Sequence, residues 1–301
     1  MRVATAQFAV SADVDANLAA IARLMRQAKA AGADVAHFPE GALSGYAGVD
    51  FERLDGFDWP RLEAATRRVM ALAGELGLWT ILGSAHRRSD GLKPHNCAYV
   101  LDAAGALVDR YDKRFCAGDP AGMTGDLAHY TPGDHFAVFD ITGVRCGVLI
   151  CHDYRYPELY RAYHRLGARM MFHGFHAGGL SAERFAAMEA GVGRHVLTGG
   201  TTLPGITMPA GMIAAASNNN MWISCPNSSA PRSCWPSFFV RPDGVITGAL
   251  EAESEGLLVS EVDLAADIYD STVAWRDRAI DGVLHSGELI EDARSRDRTT
   301  L

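Results

Sequence analysis

The chain has 301 residues, of which 48% are hydrophobic, and its formal net charge at pH 7 is −8. This length and apolar content are enough for a large core and fit one large α/β domain. The acidic charge and the lack of any Lys/Arg run argue against a nucleic-acid-binding protein. No apolar stretch reaches the length of a membrane span.

The amino terminus and the cysteines indicate the compartment. Residues 1–7 lack the pattern of a signal peptide. The 6 cysteines are scattered along the chain and form no CxxC motif. We therefore expect reduced thiols and a cytoplasmic protein.

Apolar patterns predict strands and helices that alternate over the first half of the chain. Turn residues at 102–105 and 142–143 each separate two short apolar runs, which predicts two hairpins. The pattern therefore indicates mixed sheets covered by helices. Strands are predicted over 2–10, 35–39, 79–84, 97–101, 106–111, 136–141, 144–150 and 168–172, and helices over 17–31, 62–76 and 159–166.

The second half of the chain is harder to interpret, because residues 177–235 are rich in Gly, Ala, Ser and Asn. The polar tail from Arg276 onward is either an exposed helix or an arm onto a partner. We see no internal domain boundary. Helices are predicted over 182–196 and 208–218, and strands over 221–225 and 257–262.

Cys151 lies at the corner between a predicted strand and a predicted helix. The apolar run 144–150 precedes it, and Pro157 fits the first turn of the following helix. A helix N-terminus at this corner favours the thiolate, as a nucleophile requires. An isolated cysteine is more often a buried core residue, so the catalytic interpretation depends on other residues.

Two further ionisable residues also follow predicted strands. Glu40 comes directly after strand 35–39, and Lys113 follows strand 106–111. Together with Cys151 they can converge at one edge of a sheet, where ligands bind in α/β proteins. Glu40 can take the thiol proton and pass it to a leaving amine, and Lys113 can stabilise an oxyanion. Singly, each is more often a surface charge; their coincidence favours a catalytic set.

Three segments (38–40, 112–113 and 149–159) resemble, in order and spacing, the Glu–Lys–Cys signature of the nitrilase (carbon–nitrogen hydrolase) superfamily. The resemblance extends from residue 2 to about 265. It implies Glu40 as general base, Lys113 as oxyanion stabiliser and Cys151 as nucleophile, with no metal and no organic cofactor. It also implies a four-layer α-β-β-α sandwich with mixed sheets and usually a homodimer. We expect one domain over 1–265 and a tail over 266–301 that packs on a partner subunit.

One carboxylate departs from the family pattern. Many members carry a second glutamate between the lysine and the cysteine, which helps to hold the lysine and the substrate. Asp126 stands at the matching position, one methylene shorter. We favour a retained supporting role for Asp126; the alternatives are a loop carboxylate with no role or an altered activity.

The segment after strand 168–172 also departs from the family. His173 and His176 stand where relatives often have Asn-Pro or small residues lining the substrate pocket. No further metal ligands accompany them, so a metal site is not indicated. We expect one of these histidines to contact a polar or acidic group of the substrate; the alternative is that both pack within a loop.

Three more residues are expected to contact substrate. His152 and Arg155 follow the nucleophile directly, and Tyr46 is a candidate pocket wall. Arg155 has an alternative interpretation, in which it forms a structural ion pair with Glu158.

Segment 151–159 is more similar to the amidase and carbamoylase branches than to true nitrilases, which commonly carry a tryptophan shortly after the nucleophile. The sequence therefore predicts a hydrolase of small amides or N-carbamoyl compounds that forms a covalent cysteine acyl-enzyme and releases ammonia or an amine. The alternatives are a nitrile hydrolase, a non-catalytic ligand-binding member of the same fold, and an unrelated hydrolase with a Cys–His pair.

Overall fold

A computed structural model describes residues 1–89, 91–195 and 199–300. Its strands form two mixed sheets of six strands each. The strands are β1 (Arg2–Gln7), β2 (Val35–His37), β3 (Trp79–His86), β4 (His95–Leu101), β5 (Leu107–Asp112), β6 (Val138–Ile141), β7 (Val144–Ile150), β8 (Met170–Gly174), β9 (Trp222–Cys225), β10 (Phe238–Val240), β11 (Ile246–Ala249) and β12 (Gly256–Glu261).

The helices differ widely in length, and a short 3₁₀ helix, Cys151–Arg155, follows β7. Asp13 caps the first helix through the backbone N–H groups of Asp15 and Ala16. Gly77 adopts a φ of +57° directly after the second, as helix ends commonly require. The helices are α1 (Val14–Ala30), α2 (Trp59–Leu76), α3 (Asp126–His129), α4 (Pro157–Arg165), α5 (Ala182–Val192), α6 (Leu203–Asn219), α7 (Arg276–Ile280) and α8 (Ala293–Arg296).

The two sheets have matching orders, β12-β1-β2-β3-β4-β5 and β11-β10-β9-β8-β7-β6. Each has three parallel strands at its centre, β1-β2-β3 in the first sheet and β7-β8-β9 in the second, with antiparallel strands outside them. The two predicted hairpins, β4–β5 and β6–β7, are confirmed as antiparallel pairs. The parallel strands point their carboxyl ends, and the residues that follow them, toward one region of the fold.

The sheets pack face to face, with helices on their outer sides. Between the sheets, Thr5 Oγ1 lies 2.7 Å from Ser224 Oγ, and the rings of Trp79 and Phe139 stack with centroids 6.1 Å apart. Helices α1 and α2 cover the first sheet and share an apolar core with it. Helices α4 and α6 pack on the second sheet. The predicted four-layer sandwich with mixed sheets is confirmed.

Some predicted boundaries were wrong. The helix predicted over 182–196 ends at Val192, because Gly193 takes a φ of +65°, and residue 196 lies outside the described residues. Strands β10 and β11, of 3 and 4 residues, were not predicted. The tail contains two short helices, and Arg165 Nη2 on α4 lies 2.8 Å from Asp281 Oδ1 just after α7.

No helix within residues 1–89, 91–195 and 199–300 is long and apolar enough to cross a membrane.

Candidate active site

Three strand ends bring the predicted catalytic residues together. Glu40 lies three residues after His37, the last residue of β2, Lys113 directly follows β5, and Cys151 directly follows β7. The Glu40 backbone N–H donates to Phe175 O at 3.2 Å, which ties this loop to the second sheet. The three side chains therefore meet where the two sheets face each other.

Lys113 is fully buried between two carboxylates. Its Nζ lies 2.7 Å from Glu40 Oε1 and 2.6 Å from Asp126 Oδ2. Burial alone would lower the pKa of this ammonium, but the charges of Asp126 and Glu40 raise it well above its ordinary value. Lys113 is therefore a permanent positive charge in the site.

Only one of the two carboxylate oxygens of Glu40 accepts hydrogen bonds from nitrogen donors. Oε1 accepts from Asn96 Nδ2 at 2.7 Å and from Lys113. Oε2 is buried and has no hydrogen-bond partner of nitrogen or oxygen among the described residues. The carboxylate lies close enough to the Cys151 thiol to affect its pKa both by charge and by hydrogen bonding. Glu40 thus presents a lone oxygen as a proton acceptor beside a thiol.

Cys151 occupies a strained backbone conformation at the strand-to-helix corner. Its φ is +44°, which is unfavourable for a residue with a Cβ. Burial and the nearby Glu40 carboxylate raise the pKa of the thiol well above its ordinary value, although Lys113 opposes this. Burial and the Glu40 carboxylate therefore act against the thiolate that was expected at this corner.

Asp126 reaches Lys113 despite its shorter side chain. Oδ2 accepts from Ala117 N at 2.9 Å in addition to its contact with Lys113, and Oδ1 accepts from the Tyr46 hydroxyl. Burial would raise the pKa of this carboxyl, but Lys113 and these donors lower it. The short helix α3 begins at Asp126 and places it there, so the loop compensates for the missing methylene.

His173 lies beneath the nucleophile. Nε2 lies 3.1 Å from the Cys151 carbonyl oxygen, and Nδ1 lies 2.6 Å from the Tyr160 hydroxyl. Its ring stacks on Phe175 with centroids 4.4 Å apart. Burial lowers the pKa of His173 to about 3, so the ring is neutral. Both ring nitrogens already have protein partners, so the geometry does not support the expected substrate contact.

His176 forms a buried pair with Asp50. Nε2 lies 3.0 Å from Asp50 Oδ2, which also accepts from the Tyr46 backbone N–H at 2.8 Å. The ring of Tyr46 stacks on His176 with centroids 5.2 Å apart. It also stacks on Tyr130, with centroids 5.9 Å apart. Burial would lower the pKa of His176, but the hydrogen bond and charge of Asp50 raise it. The pair fixes Tyr46, which in turn holds Asp126.

His152 and Arg155 lie at the outer side of this corner. The ring of His152 contacts Tyr156 edge-on, with centroids 5.8 Å apart. Burial, and to a smaller extent the charge of Lys113, lowers the pKa of His152. The exposed Arg155 guanidinium lies 4.7 Å from the centre of the Tyr154 ring, and its Nη2 donates to Thr207 Oγ1 at 3.2 Å. Among the described residues no ion pair joins Arg155 to a carboxylate, so the alternative pairing with Glu158 is not present.

Asp153 joins three segments of the site and was not singled out from the sequence. Its Oδ2 accepts from the Tyr111 hydroxyl at 2.8 Å and from Ile150 N at 3.1 Å, and its Oδ1 accepts from Phe115 N at 2.8 Å. Burial raises its pKa to about 6. Its position two residues after the nucleophile was the available signal. Asn96, Tyr160 and Asp50 likewise received no role, because their partners are distant in the chain.

The described part of the chain contains no cluster of three or more His, Cys, Asp or Glu side chains that could hold a metal ion.

Comparisons with known proteins agree with this geometry. A family model described as carbon-nitrogen hydrolase matches residues 2–267. The chain is 30% identical over 175 residues to an N-carbamoylputrescine amidase from Arabidopsis thaliana, covering 57% of each chain. It is 29% identical over 177 residues to omega-amidase NIT2 from Xenopus tropicalis, covering 56% of this chain and 61% of the relative. The matches thus span about three fifths of the length of these relatives.

Solved structures show the same fold. The NitN amidase from Nesterenkonia sp. AN1 superposes with a TM-score of 0.70 at 23% identity, over 88% of this chain and 94% of that one. A variant of that amidase carries acrylamide added at its active-site cysteine. The two mixed sheets and their helices therefore form the α/β sandwich of nitrilase-superfamily amidases.

Proposed function

The chain belongs to the carbon–nitrogen hydrolase family, as the Glu–Lys–Cys motifs predicted, and we propose that it hydrolyses a small amide or N-carbamoyl compound through a covalent cysteine intermediate. One observation carries the proposal: the buried Lys113 joins Glu40 and Asp126 directly beside Cys151. A buried ammonium with two carboxylates is costly for stability alone, and it suits a reaction that needs a base and an oxyanion partner.

The first half of the reaction forms a thioester. Cys151 Sγ attacks the carbonyl carbon while its proton passes to Glu40, whose Oε2 has no other polar partner. The raised thiol pKa makes this base necessary. An ammonium has three N–H donors, and Glu40 and Asp126 take two of those on Lys113, which leaves the third for the oxyanion.

The second half releases the two products. The tetrahedral intermediate expels nitrogen as ammonia or an amine when Glu40 returns its proton to it. A water molecule then attacks the thioester carbon with Glu40 again as base, the C–S bond breaks, and the acid leaves. Cys151 recovers its proton, so the cycle consumes one water per amide.

The names of the relatives support this reaction class. Both the Arabidopsis and the Xenopus relatives are amidases by name, and one of them acts on a carbamoyl compound. We therefore place amide and carbamoyl substrates before nitriles. Within the class, simple amides, dicarboxylate monoamides and carbamoyl amines remain the set to be tested.

Ammonia release across a panel of these compounds and matched nitriles tests the proposal. Cys151→Ala, Glu40→Gln and Lys113→Met should each abolish turnover and keep the native circular dichroism spectrum. Cys225→Ala is the matched control, because Cys225 is a fully buried cysteine outside the site, and it should keep activity. Adding hydroxylamine should divert the thioester to a hydroxamate in the wild type and in Cys225→Ala, but not in the three active-site variants.

Two results would refute the proposal. A Glu40→Gln protein with near-normal turnover would exclude Glu40 as base and would favour a Cys–His hydrolase. A native protein that binds amides but forms no acyl adduct on Cys151 by mass spectrometry would be a non-catalytic member of the fold.

We also infer a homodimer or higher oligomer in a cytoplasmic setting. The tail carries large apolar side chains that are exposed to solvent. Leu284 is 84% exposed, Leu289 is 74% exposed and Ile290 is 86% exposed. All six cysteines are free, as a reducing compartment favours. Light scattering of the full chain and of a chain ending at residue 265 tests the subunit contact. The same number of subunits in both particles would exclude a role of the tail.

A further inference from the structure

The backbone of Cys151 needs a contact that holds it in place, which is called its anchor. Its φ of +44° is a conformation that side chains with a Cβ avoid unless their surroundings impose it. The Cys151 carbonyl oxygen lies 3.1 Å from His173 Nε2. His173 is fully buried on β8, the strand paired in parallel with β7. The contact therefore joins the nucleophile corner to the neighbouring central strand.

The hydrogen-bond partners of His173 define its tautomer. A carbonyl oxygen only accepts, so Nε2 must carry the proton that it donates to Cys151. Nδ1 then has a lone pair and accepts from the Tyr160 hydroxyl at 2.6 Å. Tyr160 is itself fully buried on α4. The Cys151 carbonyl thus fixes the tautomer of His173, and the Tyr160 hydroxyl holds the other ring nitrogen and so orients the ring.

We propose that His173, oriented by the Tyr160 hydroxyl, is a positioning residue that keeps the Cys151 peptide in its strained conformation and its thiol against Glu40. The inference rests on the proposed function, in which that thiol attacks an amide. Without the bond the corner can relax toward negative φ, and Sγ then moves away from its base. Displacements of about 1 Å in such sites cost about 100-fold in rate.

The test compares four single variants. His173→Leu removes both hydrogen bonds, His173→Gln keeps a donor for the carbonyl, and Tyr160→Phe removes only the hydroxyl. Tyr163→Phe is the matched control, because Tyr163 is also a buried tyrosine on α4, and its hydroxyl donates to Val148 O on β7 at 2.7 Å. Each variant is assayed for kcat, for KM and for the rate at which iodoacetamide alkylates Cys151.

We expect His173→Leu to lower kcat about 100-fold with KM nearly unchanged, and His173→Gln to recover most of it. Tyr160→Phe should lower kcat about 10-fold, within the range seen when outer partners that orient a catalytic ligand are removed. Alkylation of Cys151 should slow in His173→Leu and Tyr160→Phe. Tyr163→Phe should lose thermal stability and keep both rates.

Unchanged kcat and alkylation in folded His173→Leu would overturn the inference, and so would equal losses in Tyr160→Phe and Tyr163→Phe. If His173→Leu does not fold, the comparison of the two tyrosine variants decides. If the wild type hydrolyses no amide, the proposed function fails separately. The alkylation rates then still test the anchor: equal rates in Tyr160→Phe and wild type reject it, and a selective loss supports it.

Discussion

Asp126 Oδ2 lies 2.6 Å from Lys113 Nζ, so the shorter carboxylate contacts the lysine directly. Asp126→Asn removes one of the two carboxylates that hold the Lys113 ammonium and keep it charged. We expect kcat/KM to fall about 100-fold. Ammonia release measures the loss of activity, and urea unfolding measures the stability of the variant. Asp126→Glu restores the charge and should recover activity in part, whereas wild-type turnover in the Asn variant would remove Asp126 from the site.

The resting thiol of Cys151 should be protonated at neutral pH. Burial and Glu40 raise its pKa well above the ordinary value, so alkylation by iodoacetamide should keep rising with pH and show no plateau near neutrality. Peptide mapping by mass spectrometry after timed quenching gives the rate at each cysteine. Cys97 and Cys225, which are fully buried, should react more slowly. A plateau near pH 6 to 7 would indicate a preformed thiolate and contradict this view.

The backbone strain at Cys151 can be measured with two variants that both lack the thiol. Glycine tolerates a φ of +44°, whereas alanine does not. We expect Cys151→Gly to be more stable than Cys151→Ala by about 1 kcal/mol in denaturant unfolding. The reverse order would show that the corner relaxes when the thiol is absent.

Asp153 should make stability depend on pH in the mildly acidic range. Burial raises its pKa to about 6 from an ordinary value near 3.8, so the folded protein binds this proton more tightly than the unfolded chain. Its contribution is fully present below about pH 4 and is lost as pH rises through 6, by about 3 kcal/mol. Urea midpoints of wild type and Asp153→Asn between pH 4 and 7 measure the difference. A constant difference would contradict the prediction.

The Asp50–His176 pair should stabilise the protein more at low pH than at high pH, whereas a buried neutral histidine has the opposite pH dependence. The pKa of His176 is raised in the folded protein, so the contribution of the pair to the free energy of unfolding is fully present below about pH 6.5. It is lost as the pH rises through the pKa of the folded state. A double-mutant cycle with Asp50→Asn and His176→Gln should give a coupling of about 1 to 2 kcal/mol at pH 6. A smaller coupling is expected at pH 9, and an unchanged one would show a neutral hydrogen bond instead.

Much of the architecture could be predicted because its signals are local. Apolar alternation and Gly-containing turns marked both hairpins, and the order of strands and helices indicated mixed sheets covered by helices. The short strands β10 and β11 were not predicted from the sequence. They are strands because they pair with β9 and with each other.

The sequence by itself determined which residue types stand at the strand ends, and Glu40, Lys113 and Cys151 meet because the strands that precede them, β2, β5 and β7, end at one place. Only the tertiary structure decided their electrostatics. Lys113 and Glu40 are 73 residues apart. The charges of Asp126 and Glu40 raise the pKa of Lys113 against the effect of burial, whereas burial and Glu40 both raise the pKa of the Cys151 thiol. The role of His173 was likewise decided by its packing, because hydrogen bonds to Tyr160 and Cys151 use both of its nitrogens. Protonation states and partners depend on neighbours in space, which local patterns do not record.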